Sequence, residues 1–406
     1  MAKKTRIVVV ATGVPEDVGG APIRNYQMLK ALCDIPNSQV DLFAICVKRR
    51  FEAKKKQLED DLPITTHFVA YRWATIFTKL YAVCIARMQP HMVTYRRLTN
   101  LGQAVSDFCA KNTVDAIHIE QMDAYYCMEP YIAALQKKGI KIVLDEHNIE
   151  AEVLKGTSKG LTFPLNIIGR MMVGSLRKLE RSAVATSNAV LACSDVDAAW
   201  FKGVRQDDKV YVVPNGVDCA QFVPSTKKQS NTLIFVGSPG YPPNADALGY
   251  YLRSIHPKVK SLVPKVRLDI IGRDSEEWIK AQSLASDKTV VPHGFVKSVE
   301  DYLDAAAIGI CPIRAGSGTR LKVLTYMSAG IPVVSTSKGA EGIGYTAGKD
   351  IIVTDTEQGF AEAISKLLKD KKLRGAIGKN ARKLMERQYD WGIIGKNLRT
   401  YYGKIL

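Results

Sequence analysis

Two groups of residues in this sequence have the types and spacing to do chemistry. The first is a loop with Gly316 and Gly318, between an apolar run ending in Cys311-Pro312 and a helix expected over 319–329. Arg314, Arg320 and Lys322 surround it. Glycines let such a loop turn so that main-chain N–H groups, the positive end of a helix dipole and cations meet at one spot, which should bind an anion. The second group is Asp145-Glu146-His147-Asn148, directly after the apolar run 140–144. The carboxyl end of a parallel strand is where open α/β sheets place ligands, and an imidazole there can titrate near neutrality. A third loop, 11–20, holds Gly13, Gly19 and Gly20. Gly19 and Gly20 could cradle a phosphate, although the loop is not the dinucleotide GxGxxG and glycines of this kind are often turn residues.

Stepping from these residues to their supports, the apolar runs 6–10, 40–47, 114–119, 140–144 and 189–193 read as buried parallel strands, with helical segments such as 22–33 between them. After a polar stretch at 223–231 the rhythm restarts. Strands are expected at 232–236, 267–271, 290–291 and 333–336, with helices at 245–255, from 276 and at 299–306. The chain is therefore expected to be α/β, two doubly wound units, 1–193 and 194–384, with a C-terminal helix at about 385–406 folding back on the first. Apolar, aromatic and basic residues mix over 71–98. That segment reads either as a helix packed on the sheet and broken near Pro90, or as a helix lying in a membrane interface.

A length of 406 residues accommodates two hydrophobic cores. No secretory leader is expected from the short apolar run 7–10, nor is any stretch long enough to span a bilayer. The eight cysteines contain no CxxC pair, which suits reduced thiols in a cytoplasm. The net charge of +17 attracts polyanions or anionic lipid. The basic clusters are scattered, and no nucleic-acid-binding motif accompanies them, so nucleic acid is not expected as a partner. Anionic headgroups on the inner membrane face are the better match.

Several segments in order carry a resemblance: Gly19-Gly20, DEHN at 145–148, ACSDVD at 192–197, VVPNGVD at 212–218, FVGSPGYPPN at 235–244, LDIIGR at 268–273, VPHGFV at 291–296, and GSGTRLKVL with the following GIPVVST and GAEGI. Together they resemble the retaining glycosyltransferases of family 4, over nearly the whole chain. The resemblance implies the GT-B fold, two Rossmann-like domains facing a cleft. It also implies a nucleotide-sugar as substrate, with no cofactor and no metal. The base would stack near Gly294, Phe295 and Val296, and the diphosphate would lie against Gly316, Ser317, Gly318 and Thr319. Gly237 and Ser238 would follow the strand beneath it, and Gly19-Gly20 would approach from the first domain. His147 aligns with the family's active-site histidine beside the transferred sugar, and no covalent nucleophile is assigned.

Two departures from the family pattern bear on activity. Its E-x7-E glutamates correspond to Ser317 and Thr325, and Thr325 offers the ribose a weaker acceptor than a carboxylate. Its arginine and lysine after the FVG strand are replaced by Ser238 and the Tyr241–Asn244 loop, which leaves Arg320 and Lys322 to supply positive charge. The leading expectation is a metal-independent hexosyltransferase acting on a lipid-linked or polysaccharide acceptor in cell-envelope glycan synthesis. The alternative is a non-catalytic subunit of the same fold that binds glycan or a partner glycosyltransferase. A nucleotide-sugar epimerase ranks last, because only Asp145, Glu146 and His147 are available as its acid–base set.

Overall fold

The computed structural model describes residues 4–16, 20–71, 75–158, 165–225, 231–282, 287–316 and 318–406. The chain divides into two compact units, Met1–Pro214 with Gly395–Leu406, and Asn215–Ile394.

The first unit holds a seven-stranded sheet: β1 (Thr5–Ala11), β2 (Ser38–Cys46), β3 (Ile64–Ala70), β4 (Ala116–Glu120), β5 (Lys141–Glu146), β6 (Ala189–Ala192) and β7 (Val210–Val212). Their order is β3-β2-β1-β4-β5-β6-β7, and every pairing is parallel. The second unit holds β8 (Thr232–Val236), β9 (Arg267–Ile271), β10 (Val290–Pro292), β11 (Ile308–Cys311), β12 (Val333–Ser335) and β13 (Ile352–Val353), ordered β10-β9-β8-β11-β12-β13 and again all parallel. Helices between the strands cover both faces, so the central strands are apolar without alternation: Ile7 to Val10 and Leu233 to Phe235 are buried throughout. Strand order reverses between β1 and β4 in one unit and between β8 and β11 in the other. At such a reversal the loops leaving the two strands diverge and open a crevice at their carboxyl ends.

The differences from expectation have local causes. The boundary falls after Pro214 rather than 193, because the helix Asp195–Val204 is followed by β7, which pairs with β6 and completes the first sheet. The helix Trp391–Ile405 belongs to the first unit only from Gly395 onward. Trp391 stays with the second unit, where its ring fills the space over Gly216, whereas Tyr401 stacks on Tyr211 of β7 at 4.7 Å. The helix expected over 319–329 is shorter, Leu321–Ser328, and Gly330 at φ 62 closes it. Strand β3 has no counterpart among the expected strands. It is an edge strand whose Thr65, Thr66 and His67 interrupt the apolar signal.

The 71–98 segment, of which residues 72–74 lie outside the described ones, is broken near Pro90 as expected but is not wholly buried. An α-helix, Ile76–Tyr81, passes into a π-turn, Ala82–Ala86, and ends at Arg87 in the left-handed region; a second helix, Pro90–Leu98, starts on its proline. Ala82, Met88, Met92 and Val93 are buried, while Phe77, Leu80 and Ile85 face solvent. Among the described residues no helix is long and apolar enough to cross a membrane.

Candidate functional site

In the second unit, the loops after β8, β9 and β10 lie side by side. Gly237 N–H donates to the Ile271 carbonyl at 2.7 Å, and Gly272 N–H donates to the Gly294 carbonyl at 2.9 Å. A Cβ on Gly272 would fall 2.5 Å from the Gly237 carbonyl, so only glycine permits this approach. The carboxyl edge of the sheet is thus a floor of bare backbone. At the outer end, Gly294 N–H donates to Ser275 Oγ at 3.0 Å, and the Phe295 ring is 70% exposed with the Arg273 guanidinium 5.8 Å from its centroid. Val296 packs partly against the core. His293 is held from behind by Asp269, 2.8 Å away, and by the edge of Tyr302.

At the inner end, beside the β8/β11 reversal, stands Lys322. Its Nζ lies 3.8 Å over the Phe235 ring and donates to Asn244 Oδ1 at 2.8 Å. Asn244 in turn donates to the Ser238 carbonyl at 2.9 Å, and Ser238 Oγ accepts from Gly240 N–H. A Cβ on Gly237 would lie 2.7 Å from Lys322 Nζ, so Gly237, Ser238, Asn244 and Lys322 form one cluster. Desolvation pushes the Lys322 ammonium down to about 8. Arg320 caps the start of the helix Leu321–Ser328, and its Nη2 lies 3.3 Å from the Ala315 carbonyl, against Gly316. Gly316 (φ 98) and Gly318 (φ 76) take the conformations that make this loop possible. Ser317 lies outside the described residues.

Arg314 is placed differently from Arg320 and Lys322. It is exposed, pairs in two hydrogen bonds with Asp246 (2.6 and 3.1 Å) and covers the Tyr250 ring, so much of its charge is already answered. Thr319 is buried with its hydroxyl toward the Gly342 carbonyl. Thr325 spends its hydroxyl proton on the Leu321 carbonyl at 3.1 Å, leaving oxygen lone pairs to accept.

In the first unit, His147 follows β5 and is buried in a charged network. Its Nε2 is 3.3 Å from Glu120 Oε2 and 3.8 Å from Asp145 Oδ2, and its Nδ1 is 2.6 Å from the side-chain amide of Gln121. Asp145 is clamped by Arg24, with Nη2 2.6 Å from Oδ1 and Nε 3.2 Å from Oδ2. Arg24 also donates to the Val213 carbonyl at 2.8 Å. Burial alone would neutralise these groups. The opposite charges outweigh it, holding Asp145 well below the usual carboxylate range, lowering Glu120 and raising His147. Gln121 adopts φ 67, a strained conformation for a residue with a Cβ, at the turn from β4 into the helix Gln121–Lys137. His118, Glu120 and Asp145 bring ligand-type atoms within 4.8 Å of one another, but hydrogen bonds already engage each of them.

Gly20 opens the helix Gly20–Cys33 after β1, and Gly19 lies outside the described residues. Residues that the sequence reading did not single out are Asn244, Arg24, Glu120 and Gln121. Glu120-Gln121 had a legible signal, a polar pair directly after the apolar strand 116–119, of the same kind as the one that marks 145–148. Arg24 had none, since a single arginine in an amphipathic helix is ordinary.

Comparison with known proteins bears on the family and the fold. Residues 18–221 match the model described as glycosyltransferase family 4, and residues 230–370 match one described as glycosyl transferases group 1. An uncharacterized 44.6 kDa protein in the cps region of Klebsiella pneumoniae is 31% identical over 164 residues, 39% of this chain and 42% of that protein, so the match spans less than half of either. Among solved structures, Anabaena Alr3699/HepE in complex with UDP superposes with a TM-score of 0.67 at 15% identity, covering 98% of this chain and 100% of that one. Sucrose-phosphate synthase from Thermosynechococcus elongatus gives 0.69 at 15%, with 99% of each chain covered. A variant of S. aureus TarM, in complex with Fondaparinux, alpha-GlcNAc-glycerol and UDP, gives 0.67 at 11%, again covering 99% of each. At these identities the structures establish the fold, which is GT-B. With its two halves matched in order by the two family models, the chain belongs to the group 1 glycosyltransferases of family 4.

Proposed function

We propose that this glycosyltransferase is a retaining, metal-independent hexosyltransferase that moves a sugar from a nucleotide-sugar to a lipid-linked or polysaccharide acceptor in cell-envelope glycan synthesis. The observation that carries the donor half of this reading is the cluster at the β8/β11 reversal. Lys322 stands there against Gly237, whose loop meets Gly272, and Arg320 stands against Gly316. A nucleotide laid along that floor would put its base against Phe295 and Val296 and its diphosphate at Gly316, Gly318 and Thr319. The bond from the anomeric carbon to the diphosphate breaks, the bond to the acceptor oxygen forms, and the acceptor's proton passes to the leaving phosphate. Negative charge grows on the phosphate oxygens, and preorganised cations and N–H groups stabilise it without rearranging. His147 is proposed to stand beside the transferred sugar.

The acceptor class is supported by the cps-region relative and by the Fondaparinux and alpha-GlcNAc-glycerol bound in the TarM structure. HepE and TarM were both solved with UDP, which makes UDP the first nucleotide to test. For a lipid-linked acceptor, exposed Phe77, Leu80 and Ile85 beside exposed Lys79 and Arg87 suit an anionic bilayer surface. Absence of binding to anionic vesicles at low salt would remove that part.

One observation favours the non-catalytic alternative. Thr325 stands where the family's ribose-binding glutamate is expected, and its hydroxyl oxygen is an uncharged acceptor where a carboxylate would be a charged one. The two readings separate in a transfer and hydrolysis assay with UDP-, GDP- and ADP-sugars. Release of nucleoside diphosphate supports the enzyme, and nucleotide binding without release under any acceptor condition supports the subunit.

A further inference from the structure

His147 does not end in solvent on its Nε2 side; a chain of hydrogen bonds continues behind it. Glu120 bridges two imidazoles, with Oε2 3.3 Å from His147 Nε2 and Oε1 3.2 Å from His118 Nε2. His118 Nδ1 is 2.8 Å from the hydroxyl of Tyr402, on the C-terminal helix. Glu120 and His118 are buried completely, and so is Tyr402. The proton directions follow from the inventory of donors. A carboxylate only accepts, so both histidines must present N–H to Glu120. His118 meets the Tyr402 hydroxyl with its other nitrogen. On the far side of His147, Gln121 contacts Nδ1 at 2.6 Å, and its amide can turn its oxygen toward an N–H there.

We propose that Glu120 is a positioning residue of the transfer reaction: backed by His118 and Tyr402, it keeps His147 as a doubly protonated imidazolium of fixed orientation. This proposal rests on the reading of His147 as the residue beside the sugar. In this arrangement His147 offers the reacting groups a fixed positive charge and no lone pair, so it does not act as a base. The charges facing the ring are consistent with that. Asp145 and Glu120 approach it from β5 and β4, and Glu150 from the following helix; Arg24 opposes them but is absorbed by Asp145. His118, Tyr402 and Cys193 complete the titratable set around the two carboxylates. The arrangement also gives the last helix a function beyond packing, because its hydroxyl holds the second ring nitrogen of His118.

The test uses the full chain with labelled histidine, followed by nuclear magnetic resonance from pH 6 to pH 8, with the His147 signal assigned by its loss in His147→Gln. In the wild type the His147 ring is expected to keep its second proton to higher pH than an exposed histidine does. In Glu120→Gln, which preserves shape and removes the charge, its titration should move to lower pH, and kcat should fall about tenfold, the equivalent of one charge-assisted hydrogen bond, with the donor KM little changed. Glu120→Asp should recover part of the loss, and Tyr402→Phe, which leaves the ring in place, should shift the His118 signals. A wild-type His147 that titrates like an exposed histidine, or a titration unaltered by Glu120→Gln, overturns the proposal. If the wild type turns over no nucleotide-sugar, the transferase reading fails while the resonance experiment still reports on the charge of His147.

Discussion

Lys322 shows how one side chain links the site to pH. Its ammonium is partly desolvated against Phe235 and held near pH 8, below the ordinary lysine value. A bound diphosphate favours the charged form, so binding takes up a proton whenever Lys322 is partly neutral. Affinity should be full below about pH 8 and weaken as pH rises through that value, by at most about tenfold per pH unit. Calorimetry of UDP binding in buffers of different ionisation enthalpy checks this: proton uptake near pH 8 is expected in the wild type and none in Lys322→Met. Lys322, Arg320 and His147 are legible in the sequence because each lies in a motif whose spacing implies an anion or a strand-end ligand. The partners Asn244, Glu120 and Arg24 are not, since their roles depend on strand order, which brings together residues 78 apart in one case (Lys322 with Asn244) and 121 apart in another (Arg24 with Asp145).

The second sheet places three loop glycines in contact, and the approach of Gly272 to the Gly237 carbonyl leaves no room for a Cβ. Gly272→Ala introduces a methyl that backbone atoms cannot avoid without moving. It should cost about 1–3 kcal/mol of stability and weaken nucleotide binding, with thermal unfolding and calorimetry as the checks. A tolerated Gly272→Ala with unchanged binding would show that the floor carries no ligand. The alternation of strand and helix makes the doubly wound architecture readable, since strands buried on both faces are continuously apolar. Edge strands are harder: β3 carries threonines and a histidine, and β13 has only two residues. The π-turn at Ala82–Ala86 is likewise invisible to helical periodicity, because the extra residue shifts the apolar face and turns Ile85 outward while Ala82 stays buried.

At the scale of the molecule, the first unit keeps uncharged carboxyls in its interior. Burial, with Glu180 nearby, raises Glu146 well above the carboxylate range, and neither Glu146 oxygen has a hydrogen-bond partner among the described residues. Burial likewise pushes Glu180 up to about 8. A raised folded-state value means that the unfolded chain loses its proton first. Stability from these groups is therefore complete below about pH 4.5 and declines as pH climbs toward 8. The midpoint of thermal unfolding should drop on the order of 5 °C between pH 5 and pH 8, and Glu146→Gln combined with Glu180→Gln should flatten the profile.

If the second unit holds a nucleoside diphosphate through main-chain N–H groups together with Lys322 and Arg320, titration calorimetry of this 406-residue chain with UDP, GDP and ADP will register it. One of the three should bind with a Kd between about 1 μM and 1 mM, and both Lys322→Ala and Arg320→Ala should weaken that binding about tenfold or more. Failure of all three nucleotides to bind, or binding that neither substitution alters, would contradict the account.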